Sequence, residues 1–187
     1  MPRKKKSTTA ESVREVKLQL SGVRAPETWE DILKLIFPKN TTRQNLAKVI
    51  LRKLAQLKGA HEHITTHDWL PLVLEAMKED PVYSELGRIL EERWIELERK
   101  GVSRVEQVKI LTREANELQT QLGLGEEYPP GFGKYRGAWY PVVNILIKAG
   151  MIEKKGSYLE LSETFSMKLE RIAKIWKKFV GEEEERW

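Results

Sequence analysis

The feature that most constrains the fold is a series of apolar stripes at helical spacing, each bounded by a proline, a glycine or a capping residue. Large apolar side chains recur three or four residues apart, which is the period of a helix that is buried along one face. Five such segments follow one another: residues 27–37, 41–58, 66–78, 81–100 and 103–122. They predict amphipathic helices joined by short loops.

Capping residues predict where several of these helices begin. Thr41 or Thr42 is expected to cap the second helix, and Thr66 the third. Ser103 and Glu106 form the S-x-x-E pattern of a capping box at the start of the fifth helix. The long apolar stripe of that fifth helix also suggests self-association, and hence a homo-oligomer.

The character of the sequence changes after residue 122. Glycine and proline are concentrated in residues 123–137, with aromatic residues between them, which predicts no regular helix before about residue 138. Residues 138–149 predict a helix, residues 151–161 a hairpin, and residues 162–180 a last helix. The apolar seam of that last helix is predicted to be core: Phe165, Leu169, Ile172, Trp176 and Phe179.

We therefore expect a mainly α protein with a small β-hairpin. Its predicted parts are a basic arm over residues 1–24 with a possible short strand at 13–20, a helical unit over 25–122, a second part over 123–181, and an acidic tail over 182–187.

The most specific pattern lies in residues 138–165. A short helix ends in Lys-Ala-Gly-Met-Ile-Glu, and a basic hairpin tip and a Tyr-Leu-Glu-Leu-Ser strand follow. This order resembles the end of the winged helix-turn-helix fold, in which a recognition helix runs through a glycine and an aliphatic pair into a two-stranded wing. The resemblance covers about residues 103–180 and is most specific at 146–162. It departs from the family at residues 123–136, which are much longer than the three- to four-residue turn of a helix-turn-helix.

The resemblance implies DNA binding by the 138–149 helix and the hairpin. Asn144 can read adenine through two hydrogen bonds, and Arg136 can read guanine or hold a phosphate. The hairpin tip would meet the backbone or a minor groove. Aromatic residues of 126–140 can instead stack on single-stranded bases, or pin the loop to the body. The residues predicted to face nucleic acid are Lys134, Arg136, Trp139, Tyr140, Asn144, Lys148, Lys154, Lys155 and Ser157.

The charge of the chain is concentrated at its N-terminus. Residues 1–24 hold seven basic and two acidic side chains, so they account for the net charge of +5, and the remainder is neutral. Such an arm is typical of a segment that follows phosphates. The basic residues expected to do so are Arg3, Lys4, Lys5 and Lys6.

The remaining features predict a cytoplasmic, non-enzymatic protein without a cofactor. There is no Cys, no apolar run of the ~18–20 residues that a membrane span needs, and no apolar segment after the basic start. Abundant Lys, Arg and Glu without Cys also resembles a thermophile's composition. His61, His63 and His67 have a spacing that can hold zinc, but such a loop is more often ordinary surface.

For function, the sequence favours a nucleic-acid-binding protein, above all a regulator that binds double-stranded DNA. Two alternatives stay open: a structural nucleoprotein that coats nucleic acid, and a protein-interaction scaffold. Glu96, Glu98 and Lys100 resemble part of a nuclease site, but they fall on a predicted helix, whereas that chemistry uses a strand edge.

Overall fold

The protein is mainly helical with one small antiparallel sheet, as the spacing of its apolar residues predicts. A computed structural model describes residues 26–60, 62–124 and 131–184, with side chains described as far as Lys178. In chain order the elements are α1 (Trp29–Ile36), α2 (Thr41–Gln56), β1 (Ile64–Thr65), α3 (Trp69–Lys78), α4 (Ser84–Arg99), α5 (Arg104–Gln121), α6 (Gly131–Ala149), β2 (Ile152–Lys155), β3 (Tyr158–Leu161) and α7 (Thr164–Glu184).

The cap of α2 differs from the prediction. The Asn40 side-chain oxygen accepts a hydrogen bond from the amide of Arg43 at 3.0 Å, so Asn40 is the capping residue and not Thr41 or Thr42. Thr42 is buried in the first turn of the helix, where its side chain packs inward. Asparagine is as good a cap as threonine, and the start of the helix moves by only a residue.

The caps of α3 and α5 give one correction and one confirmation. Asp68, and not Thr66, stands at the N-cap of α3, and its carboxylate accepts the amide of Thr65 at 2.7 Å. Ser103 caps α5 as predicted, because its hydroxyl accepts from the amide of Glu106.

The predicted hairpin is confirmed and gains a third strand. Strands β2 and β3 pair antiparallel, with Ile152 opposite Leu161 and Lys155 opposite Tyr158. Strand β1, from a segment predicted to be a loop, pairs with the other edge of β3, so that the strand order is β1-β3-β2. Two residues are too short to show an alternating pattern in the sequence, which is why β1 was missed.

One continuous core joins residues 25–122 to residues 123–181. Helices α2, α3 and α6 pack on one another, α3 also packs on α4, and α4 on α5. The side chains at the centre of these contacts are fully buried: Leu46, Ile50, Leu70, Leu74, Leu86, Leu90, Leu111, Trp139, Val142 and Leu146.

The start of α6 corrects the sequence prediction, since the helix begins at Gly131 and includes three glycines. The amide of Gly131 donates to the side-chain oxygen of Gln119 at 2.7 Å. A Cβ at Gly131 would lie 2.4 Å from the ring of Tyr83, so the absence of a side chain permits a close approach. One turn later, the buried Tyr135 hydroxyl donates to Asp80 at 2.7 Å. These contacts compensate for the weak helix propensity of glycine.

Burial, and then the carboxylate of Asp80, raise the pKa of the Tyr135 phenol far above its usual value. The hydroxyl therefore stays protonated and keeps donating its hydrogen bond to Asp80.

Helix α7 also differs from the prediction, because Leu169, Ile172 and Trp176 of its apolar seam are exposed and not part of the core. Phe165 is half-buried, and the side chain of Phe179 lies outside the described ones. Every residue from Ser166 to Lys178 is exposed. The first turn is tied to the end of α6: the amide of Phe165 donates to the carbonyl of Gly150 at 2.9 Å, and the ammonium of Lys168 donates to the carbonyl of Lys148 at 3.3 Å. Across the described ranges, no helix has both the length and the apolar character that crossing a membrane requires.

Candidate nucleic-acid interface

The solvent-facing side of α6 carries most of the residues that the sequence predicted for nucleic-acid contact. Arg136, Tyr140, Asn144 and Lys148 follow one another at a spacing of four residues, and all four are exposed. They form a stripe about 18 Å long at 1.5 Å per residue. We call these four residues the α6 stripe.

The α6 stripe is positive and chemically available. Helix α6 contains three basic residues and no acidic residue. Within the described part of the chain, none of the four stripe side chains forms an ion pair or a side-chain hydrogen bond. Tyr140 exposes 54% of its surface, which is high for an aromatic side chain on a folded protein. The stripe thus presents two cations, an amide and a phenol ring that can all meet a ligand.

Trp139 is a correction, because the sequence placed it on the outward face. Only 1% of its surface is exposed, and its indole N–H donates to the carbonyl of Thr66 at 3.1 Å. The helix begins seven residues earlier than predicted, and the face that packs on α2 and α3 includes position 139. The ring is therefore a core element and cannot stack on a base.

A groove of about 700 Å³ lies between α5 and the first turns of α6. Four of its lining residues are basic, and no acidic residue lines it among those described. Its lining is Trp69, Arg104, Val105, Val108, Lys109, Thr112, Arg113, Asn116 and Arg136. Arg136 belongs to both surfaces, so the groove and the α6 stripe form one continuous positive surface.

The groove cations differ in how far their charge is already compensated. Arg104 lies 3.9 Å from Glu98, and Lys109 lies 3.5 Å from Glu106, which are long and exposed contacts. Arg113 has no ion-pair partner among the described residues. Exposed ion pairs of this kind contribute little to stability.

Sequence reasoning missed the α5 side of this surface. Lys109 and Arg113 are one turn apart, on the face opposite the stripe of Leu111 and Ala115. That spacing was visible in the sequence. What was not visible is that α5 packs beside α6 and adds its charges to those of Arg136.

The hairpin tip offers less uncompensated positive charge than the sequence suggested. Lys154 and Ser157 are exposed. The ammonium of Lys155 lies 2.7 Å from Glu160 and 3.3 Å from Glu153, and these two carboxylates raise its pKa. The charge of Lys155 is thus compensated within the hairpin.

Lys134 is exposed but already engaged, since its ammonium lies 5.7 Å from the centre of the Tyr83 ring. This cation–π contact directs the side chain toward α4 and away from the α6 stripe.

Several predicted residues lie elsewhere or outside the described ranges. Arg3, Lys4, Lys5 and Lys6 of the basic arm, the possible strand at 13–20 and His61 are outside them. The His63 ring lies 4.7 Å from the Tyr158 ring, and His67 is exposed. In residues 26–60, 62–124 and 131–184, no three metal-ligating side chains come together.

The pattern of Glu96, Glu98 and Lys100 lies at the end of α4. The Glu96 carboxylate accepts hydrogen bonds from Lys100 and Arg93, and these bonds lower the pKa of the Glu96 carboxyl. The arrangement is that of surface ion pairs along a helix.

Comparison with known proteins gives one match, to the model of a protein family. No curated protein sequence and no solved structure matches the chain. Residues 79–181 match the model of a family described as an archaeal family. That segment extends from the end of α3 into α7, and it includes α5 and the whole of the α6 stripe. Because the match covers more than half of the chain, the protein belongs to this archaeal family.

Proposed function

We propose that the protein binds double-stranded DNA and that α6 is its recognition helix. The observation that carries this proposal is the α6 stripe, which combines two cations with an exposed amide on a helix without acidic residues. A single α-helix fits the major groove, where Asn and Arg side chains can reach base edges. Phosphates bind the flanking cations and fix the orientation of the helix.

The topology supports a winged-helix arrangement of this interface. The winged helix-turn-helix fold places a two-stranded wing directly after its recognition helix, and here β2 and β3 follow α6 directly. Helices α2 and α3 pack on α6, and β1, which follows α2, pairs with β3. In this interpretation the helices that support the recognition helix are α2 and α3, and α5, with which the sequence resemblance began, is an insertion together with α4.

The side chains take different roles in this proposal. Asn144 lies midway along the exposed face and reads a base edge. Arg136 and Lys148 lie at the two ends of the α6 stripe and hold phosphates on either side. The α5 cations Lys109 and Arg113 extend the contact to phosphates outside the DNA major groove that α6 enters. They therefore add affinity without sequence information.

Salt dependence tests the phosphate contacts. Replacing Arg136 or Lys148 by Ala should weaken binding to all duplexes, and each replacement should reduce the slope of log affinity against log salt by up to ~0.9. Arg88→Ala is the matched control, because it removes the same charge from an exposed guanidinium that Glu85 and Glu92 already bind. Equal effects of all three variants would mean that only net charge matters, and the proposed interface would be wrong.

Sequence preference tests the reading role. With a duplex selected from a random pool, Asn144→Ala should lose roughly 1–3 kcal/mol of discrimination at one base pair and keep the parent's salt slope. The control is Lys154→Ala at the hairpin tip, which should leave discrimination intact. A parent that binds every duplex equally and cooperatively would favour a coat protein, and one that binds no nucleic acid would favour a scaffold.

A further inference from the structure

The groove between α5 and α6 has an apolar floor, formed by Trp69, Val105 and Val108. Val105 exposes 69% of its surface, and the other two side chains are half-buried. The Trp69 ring lies against the buried ring of Phe132, with 6.4 Å between the ring centroids. The phosphates of a duplex contact cations and gain nothing from apolar side chains. A concave surface of about 700 Å³ that combines apolar side chains with polar groups is instead typical of a small-molecule site.

The charges of the groove select an anion. Its four basic lining residues face no acidic lining residue among those described. Arg113 and Arg136 have no ion-pair partner in the described ranges. The contacts of Arg104 and Lys109 with carboxylates are long, at 3.9 Å and 3.5 Å. Because one carboxylate cannot engage four cations, the ligand that fits carries several negative charges, as a polyphosphate does.

The order of these residues along α5 separates the two kinds of contact. Val105 and Val108 lie in the first turns of the helix, whereas Lys109 and Arg113 are one turn apart further along it. At 1.5 Å per residue, the lining residues 104–116 extend over about 18 Å. An apolar ring joined to a polyphosphate is the composition of a nucleotide. A fatty acid would leave most of the cations without an anion, and an inorganic polyphosphate would leave the apolar floor uncovered.

We propose that the groove between α5 and α6 binds a free nucleotide. The base covers the apolar floor, and the phosphates bind Lys109, Arg113 and Arg136. Since Arg136 is also one end of the α6 stripe, a bound nucleotide withdraws it from DNA, and the two ligands oppose each other's binding. This regulation rests on the proposed function, whereas the nucleotide site itself does not.

The first test compares a nucleotide with its two parts. Calorimetric titrations of the full chain use ATP, tripolyphosphate and adenosine at one ionic strength, without divalent cations and without DNA. ATP represents the class, because the floor contacts a ring face and every base has one. ATP should bind at least about tenfold more tightly than either part, because one ligand then makes both kinds of contact. No binding of ATP, or tripolyphosphate binding as tightly as ATP, would overturn the proposal.

Two variants at exposed positions assign the contacts. Val105→Ser should weaken ATP about three- to tenfold and leave tripolyphosphate unchanged, because it removes apolar surface and no charge. Arg113→Ala should weaken both ligands about tenfold or more. The matched controls are Val82→Ser and Arg88→Ala, which make the same changes at exposed residues outside the groove. If the groove variants bind ATP no more weakly than their controls do, the groove is not the site.

The same variants distinguish other occupants of the groove. A short single-stranded oligonucleotide that binds far more tightly than ATP and is weakened by Val105→Ser would identify a nucleic-acid strand as the occupant. A chain that sediments as a dimer and becomes monomeric in Val105→Ser would identify a second copy. Either result would overturn the proposal of a free nucleotide.

Competition tests the link with DNA. Saturating ATP should lower the affinity for a duplex about tenfold or more at constant ionic strength, because three cations then hold the nucleotide. Val105→Ser should raise the ATP concentration that this effect needs. A duplex affinity that ATP leaves unchanged would overturn the shared use of Arg136. A chain that binds ATP but no duplex would refute the proposed function and retain the nucleotide site, and a chain that binds a duplex but no ATP would do the reverse.

Discussion

Two glycines of the same helix should respond in opposite directions to replacement by alanine. At Gly137 a Cβ would meet nothing within 4 Å, and the residue is exposed within α6. Alanine should therefore stabilise the protein by about 0.5–1 kcal/mol, because it restricts the unfolded chain and favours the helix. At Gly131 a Cβ would lie 2.4 Å from the Tyr83 ring, and overpacking of this kind costs about 1–3 kcal/mol.

Thermal unfolding followed by circular dichroism measures both effects. For a chain of this size 1 kcal/mol corresponds to roughly 2–4 °C, so Gly137→Ala should raise the melting temperature by about 1–4 °C and Gly131→Ala should lower it by about 2–12 °C. The two variants share the same chemical change and the same helix, and each is the control for the other. Shifts in the same direction would refute the close approach of Tyr83 to Gly131, and with it the reason given for a helix that begins among glycines.

Two further stability predictions follow from burial. Trp139→Ala should lower the free energy of unfolding by roughly 3–5 kcal/mol, whereas Trp176→Ala should change it by less than about 0.5 kcal/mol, as urea titrations can show; similar losses at both sites would contradict their different exposure. Tyr135→Phe should cost about 1.5–3 kcal/mol at neutral pH, because the buried carboxylate of Asp80 loses a hydrogen-bond donor. Since the fold raises the pKa of Tyr135, the unfolded chain releases this proton first, and the parent should lose stability as the pH rises above about 10. Tyr135→Phe should remove this loss of stability at alkaline pH. If the free energy of unfolding fell with pH in parallel for the two proteins, the raised pKa of Tyr135 would not be its cause.

The sequence predicted the elements whose signal is local. Ser103 marks a helix start with its own side chain, which accepts from the amide of Glu106, and the hairpin turns at Gly156, where φ is +62°. Such signals need no knowledge of the rest of the chain.

The wrong predictions share one cause: the contact that determines the local structure comes from a residue far away in the sequence. The glycine-rich start of α6 is helical because of Tyr83, Gln119 and Asp80, all at least twelve residues away. Trp139 turned inward for the same reason, since its partner Thr66 lies 73 positions before it. Conversely, the α7 seam has the pattern of a core helix, and periodicity alone does not say whether such a face packs against the rest of the chain.

For the candidate interface, the sequence identified the cations and Asn144 of α6 but not the contribution of α5. Helical periodicity was enough to place Asn144 and Lys148 on one face. Finding the groove required knowing that Arg113 and Arg136 come together from helices whose connection spans residues 122–130.

The joint between α6 and α7 has a consequence for how the proposed recognition helix is used. Hydrogen bonds from Phe165 and Lys168 to the carbonyls of residues 148–150 fix the direction in which α7 leaves α6. If α6 lies in a duplex groove as proposed, α7 therefore leaves that groove in one direction only. Lengthening the joint would change that direction without changing the bases that α6 reads.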